Sequence, residues 1–205
     1  MENKKKENSV KSLVSLYTVV MGVALSLAIT KTIDADKGLE SVSVVSVFLF
    51  IAFIVTSFPF YHGALRHIDD AYIENTNNNI KDIALVFDVL LLLIHGIGFV
   101  VLSLLIHSPN QFVWTLLVLL SIDVVWGLFA HFGFSSNNEH AAEWKWTIIN
   151  SIFVALGVCI LVYMDIGISP MEEPIKLALP VMVACIFRSM ADYGLTKDFY
   201  FPPQE

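Results

Sequence analysis

The sequence predicts an all-α fold: a polytopic membrane protein whose six-helix transmembrane bundle is joined by short loops. Three observations carry that prediction. Six apolar stretches follow one another, the composition is too apolar for a small soluble globule, and lysine and arginine are distributed unevenly among the loops.

Each stretch approaches the roughly 17–25 residues that cross about 30 Å of hydrocarbon. The first, at 12–32, follows a tail at 1–11 that holds Lys4, Lys5, Lys6 and Lys11. Its apolar run exceeds the roughly 7–15 residues of a secretory signal core, so it reads as a retained helix. The second, at 41–61, closes on Phe58-Pro59-Phe60-Tyr61, where Pro59 kinks the helix or marks its exit from the membrane. A polar segment at 62–82 follows, and its Glu74-Asn75-Thr76-Asn77-Asn78-Asn79 run reads as a mobile turn. The third and fourth stretches, 83–106 and 112–134, are separated by a short loop. The fifth spans 144–163. The sixth, 175–193, is the most interrupted, because Pro180 lies within it and Arg188 and Asp192 fall in its last turns. A tail at 194–205 completes a single domain.

The chain of 205 residues is 56% hydrophobic and 15% charged, against roughly 45–50% and 25% in ordinary soluble domains. A soluble globule of this size leaves about 30% of its unfolded surface in water, so the surplus apolar surface calls for lipid. The net charge of −7 resides between the apolar runs, and no basic stripe suited to nucleic acid is present. Cys159 and Cys185 lie inside apolar runs and imply neither a disulfide framework nor a thiolate metal site.

With a cytoplasmic N-terminus, nine of the twelve basic residues face the cytoplasm, leaving Lys31, Lys37 and Lys176 outside. Both termini are then cytoplasmic and the chain sits in the inner or plasma membrane. Tyr61, Trp144, Trp146 and Tyr193 supply an inner aromatic belt, and Trp114 and Tyr163 an outer one.

Ionisable groups inside apolar helices are expensive and mark function or pairing. At about 1.5 Å of rise per residue, Asp88 and Arg188 share a depth near the cytoplasmic face, with His131 slightly shallower, and the expectation is a structural ion pair between Asp88 and Arg188. His95 lies seven residues beyond Asp88 on nearly the same helix face, and Asp123 comes out at a similar depth near the midplane. A carboxylate beside an imidazole can hold or pass a proton. Asp123, His95, Asp88 and His131 are therefore the transport or proton-handling candidates, set against the plainer reading that such pairs only clamp helices together. His62, Arg66, His67, Asp69 and Asp70 form a second cluster with ion-pair spacing, suited to a solvated helix that contacts a cytoplasmic protein partner. His62 and His67 stand about 140° apart around a helix, which argues against a metal site.

No Ser/His/Asp motif, phosphate loop or H-E-x-x-H helix is present, and no enzyme activity or cofactor is expected. Bis-histidine haem ligation finds no histidine level with His95, leaving only His62 with His131 near the inner edge. In size and helix number the chain is similar to the six-helix subunits of bacterial homotetrameric lysosomal-type potassium channels, and that architecture implies a homo-oligomer. Those channels carry Phe-Ser-Asp in their first helix, where this chain reads Leu16-Tyr17-Thr18-Val19-Val20-Met21-Gly22. Two functions follow as expectations: a proton or small-cation channel or transporter, and a non-conducting sensor or scaffold whose helix-2 extension and tail at 197–205 meet the partner.

Overall fold

The computed structural model describes residues 2–33, 38, 42–74, 82–133, 141–165 and 174–202. These are almost wholly helical: α1 (Glu2–Thr32), α2 (Val44–Asp69) with a π-helical turn at Asp70–Glu74, α3 (Asp82–Leu104), α4 (Pro109–Gly133), α5 (Ala141–Asp165), α6 (Ile175–Leu195) and α7 (Lys197–Tyr200). The 74–79 run expected as a mobile turn lies, beyond Glu74, outside the described residues.

Two boundaries differ from the sequence expectation. The basic N-terminal tail is helical, because lysine and glutamate are good helix formers and Lys11 bonds Glu7 one turn away at 2.6 Å. Helix α2 does not stop at Tyr61 but runs past Pro59 for almost three further turns. Proline lacks an N–H, so Pro59 leaves the Val55 carbonyl without its intrahelical donor. The Ser189 hydroxyl of α6 donates to that carbonyl instead, and the helix continues. Ser43 caps the start of α2 by accepting from the Ser46 N–H at 3.0 Å. The Ser46 hydroxyl in turn meets His107 Nδ1 at 2.8 Å, tying α2 to the turn between α3 and α4.

The helices pair closely as α1 with α3, α2 with α6 and α4 with α5. Contacts of α1 with α2, α5 with α6 and α3 with α4 close the pairs into a ring, and α2 also reaches α3 and α4. Glycine permits close approaches: a Cβ on Gly157 of α5 would come within 2.5 Å of Leu117 on α4, one on Gly96 of α3 within 2.8 Å of Val20 on α1, and one on Gly98 of α3 closer still to Leu119 on α4.

The bundle divides along its length. In the half distant from the termini the interior is largely apolar, filled by Leu49, Phe53, Phe99, Leu102, Phe112 and Leu177 beside a few buried hydroxyls such as those of Ser46 and Ser103. In the half nearer the termini, polar and charged side chains point inward. Apolar residues such as Val19, Ile97, Val118, Phe129, Ile152 and Phe187 face outward, as a lipid-facing surface requires.

Among the described residues, five segments are long and apolar enough to cross a membrane: Glu7–Thr32, Val44–Ile73, Leu85–Leu104, Pro109–Ala130 and Trp144–Val162. Helix α6 is not among these five. Trp146, expected in an aromatic belt, is buried in the bundle, whereas Trp144 is exposed. Two positions apart are about 200° apart around a helix, so the two tryptophans cannot share a face. The Trp146 face of α5 turns inward with Thr147 and Asn150.

Candidate functional site

The polar half encloses a cavity of about 60 Å³, with walls drawn from α1 to α7. Its deep end is formed by Tyr17, Phe60, His95, Asp123 and Arg188, and it extends past His67 and Asp88 toward Ile68 and Tyr200. Gly63 makes room for the last of these: a Cβ there would stand 3.1 Å from the Tyr200 hydroxyl and 3.5 Å from Trp146.

Helical periodicity aims the groups. On α3, Asp88, Leu91, Leu92 and His95 occupy one face at i, i+3, i+4 and i+7. On α6, Arg188 and Asp192 are one turn apart, as are Trp146 and Asn150 on α5.

Asp88 is fully engaged near the shallow end. Its Oδ2 accepts from the Tyr72 hydroxyl at 2.6 Å and meets His67 Nε2 at 3.2 Å, while Oδ1 accepts from Trp126 Nε1 at 3.0 Å. The expected Asp88–Arg188 ion pair is not formed. Arg188 lies in a deeper layer than Asp88 and rides on α6, which packs on α2 and α5, whereas Asp88 rides on α3, which packs on α1 and α4. Depth reckoning contains no angle around the bundle, and so it chose the wrong partner.

Arg188 belongs to the deeper layer. Its Nε donates to Asn150 Oδ1 at 2.8 Å, its Nη2 lies 3.9 Å from Asp192 Oδ2, and its guanidinium stacks 4.7 Å over the Phe60 ring. Asn150 Nδ2 donates in turn to Asp123 Oδ2. Asp123 Oδ1 stands 3.8 Å from His95 Nε2, and His95 Nδ1 bonds the Leu91 carbonyl at 3.1 Å. Asp123 and His95, placed together by depth in the sequence, are adjacent in space.

A carbonyl can only accept, so Nδ1 carries the His95 proton and the neutral ring presents the Nε2 lone pair to Asp123. A proton arriving at this pair then has two competing holders. At 3.8 Å the gap is too long for a direct hydrogen bond but short enough for strong coupling in a site of low dielectric.

Asp192 accepts from Thr196 Oγ1 at 3.3 Å and from the Tyr200 hydroxyl at 3.2 Å. Burial and the Asp192 carboxylate push the Tyr200 phenol well above its usual range, so it remains a donor. A continuous series therefore runs Tyr200, Asp192, Arg188, Asn150, Asp123, His95, across five helices.

The helix-2 cluster turns substantially inward. His62 packs on Tyr193, Tyr200 and Phe201, Arg66 Nε donates to the Phe199 carbonyl at 3.2 Å, and His67 meets Asp88. Asp69 and Asp70 are half-buried. The His131 side chain lies outside the described residues. Among the described residues, no three His, Cys, Asp or Glu side chains gather as a metal site needs.

Sequence reasoning missed Asn150, Asp192, Tyr72, Trp126 and Tyr200. Asn150 was findable, because an amide at the centre of Ile148-Ile149-Asn150-Ser151-Ile152 is costly for the same reason a charge is. The aromatic residues carry no such signal. No protein-family model matches the chain, and neither does any curated protein or solved structure.

Proposed function

We propose that this protein is a six-span, non-enzymatic membrane transporter that handles protons at the Asp123–His95 pair. The supporting observation is the position of that pair: His95 buried and Asp123 partly buried, 3.8 Å apart, on the wall of a largely apolar cavity that also takes in His67, Asp88 and Arg188. A clamp between helices needs a hydrogen bond but no cavity. A proton carrier needs a group that changes charge and a wetted approach to it. The cavity extends from the pair past His67 and Asp88 toward the end that carries the termini.

Two features support α6 as the sixth span. Leu179, Val183, Phe187 and Met190 form an exposed apolar stripe at spacings of four, four and three, opposite the buried Leu177, Val181, Cys185 and Arg188. Its parallel register on α2, with Ser189 beside Val55, carries α6 through the same depth as α2. The nine-to-three basic asymmetry then places both termini, and the mouth of the cavity, in the cytoplasm. The sensor or scaffold reading draws less support, since His62, Arg66 and His67 are engaged within the chain.

The test is proton flux in proteoliposomes carrying an internal pH dye. Asp123→Asn keeps the shape and much of the hydrogen bonding but removes titration, and His95→Gln removes the other holder. Both are expected to insert and elute as the parent does, with flux reduced at least tenfold. Full flux in Asp123→Asn from pH 5 to 8 would sink the transport reading.

A further inference from the structure

Four residues that line the cavity each carry a buried polar atom with no hydrogen-bond partner in the chain: Tyr17 Oη, His95 Nε2, Trp146 Nε1 and Arg188 Nη1. They come from four different helices, α1, α3, α5 and α6. An unmatched buried donor costs about 1–3 kcal/mol, and a charged one more. Tyr17, Trp146 and Arg188 thus leave three donors, and His95 one acceptor, unmatched around one small space, which is costly unless something occupies it.

We infer that the cavity binds a small monocarboxylate anion, held by Arg188, Trp146 and Tyr17 and accompanied by one proton on the Asp123–His95 pair. The inference rests on the reading of this cavity as the functional centre and names its ligand. The three holding groups only donate or, for Tyr17, readily donate, so the missing partner is an acceptor. A cation would leave the Arg188 and Trp146 N–H donors unmatched. Two carboxylate oxygens in one plane suit a guanidinium edge beside a second N–H donor. About 60 Å³ has room for on the order of four waters, which corresponds to formate or acetate. Phe60, Leu91 and Leu92 offer the apolar wall that a methyl group requires.

Charge balance supplies the proton. The charged and titratable groups around the pair are Tyr17 of α1, His67 of α2, Asp88 of α3, and Arg188 and Asp192 of α6, while α5 presents the uncharged Asn150. His67 lies against Asp88 at 3.2 Å and Arg188 against Asp192 at 3.9 Å. Asp123 and His95 with one proton between them are neutral as a pair. An incoming anion therefore leaves a net buried negative charge unless the pair accepts a second proton, which places one on each group.

Trp126 and Trp146 line the site and report on it. The full-length protein in lipid nanodiscs is titrated with sodium formate and sodium acetate, with sodium chloride and methylammonium chloride as controls, while tryptophan fluorescence is recorded at pH 6, 7 and 8. A saturable change with the carboxylates alone is expected, with affinity tightening about tenfold per pH unit for one linked proton. Tyr17→Phe removes one donor and little packing, and should weaken acetate at least threefold. Arg188→Lys should weaken it more than tenfold, and His95→Gln should flatten the pH dependence. No saturable response, an equal response to chloride, or a pH-independent affinity in the parent overturns the inference, leaving a cavity that holds water only. Proton flux without carboxylate binding removes this inference and leaves the transport reading standing. Carboxylate binding without flux does the reverse.

Discussion

At the residue scale, the energetics of the site turn on Asn150, which carries no charge. Taking ions out of water costs several kcal/mol each. A single pair near 4 Å returns about 4 kcal/mol at an effective dielectric of 20. The Arg188–Asp192 contact at 3.9 Å therefore does not by itself offset the burial of two charges that are 3% and 2% exposed. Hydrogen bonds must supply the remainder, and Asn150 serves Arg188 and Asp123 at once. Asn150→Leu keeps the volume but strands both neighbours. It should destabilise the protein by about 3 kcal/mol, or roughly 6–12 °C in a detergent melting curve, with Asn150→Gln recovering part of the loss. A melting point for the Leu variant within a degree of the parent would show that the bridge carries no energy. The sequence exposed only part of this site, because a scan for charges at matched depth sees ions and not the amides, indoles and phenols that satisfy them. His95 and Asp123 were legible, being titratable groups on consecutive helices at one depth. Tyr72 reaches Asp88 only through a π-helical turn, and no residue pattern in Asp70-Ala71-Tyr72-Ile73-Glu74 announces that turn.

At the element scale, α2 owes its length to a contact made by another helix. Pro59 frees the Val55 carbonyl, and Ser189 of α6 takes it. The two residues are thus coupled through one acceptor. Ser189→Ala should cost about 1 kcal/mol in the parent and little in a Pro59→Ala background, where the new N–H at 59 restores the helical bond. A double-mutant cycle measured by melting should give a coupling of about 1 kcal/mol. Strict additivity would mean that Ser189 is incidental to the passage of the helix past its proline. The helices themselves were readable from long apolar runs, to within a few residues at most ends. The exceptions share a physical cause: the helix continues where a partner supports polar residues. In α2 the support is Ser189 together with the inward turn of Arg66 and His67, and in α1 it is the intrahelical pair of Glu7 and Lys11. The short α7 was unreadable for the same reason, since Tyr200 is held by the Pro59 carbonyl and Asp192 and by the space left at Gly63.

At the scale of the whole molecule, the number of spans decides which way the cavity faces. Among the described residues five helices qualify by length and apolarity, and five spans would put the termini on opposite sides of the membrane. Six would return them to the same side. Helix α6 has 21 residues, about 31 Å at 1.5 Å per residue, which is enough to cross the hydrocarbon layer. Its charged residues do not oppose this, because Arg188 and Asp192 are buried in the bundle and the exposed Lys176 sits at the end of the helix, while Leu179, Val183, Phe187 and Met190 are exposed and apolar. A helix lying on the surface would be expected to place Arg188 in water and to bury its apolar stripe. The prediction is checked in a background without native cysteines, Cys159→Ser with Cys185→Ser, by introducing single cysteines as Glu2→Cys and Gln204→Cys. An impermeant maleimide applied to intact cells should label neither, and both should label once the cells are opened. Labelling of position 204 alone from outside would mean that α6 does not cross, and the Tyr200-lined end of the cavity would then open on the opposite face from the N-terminus.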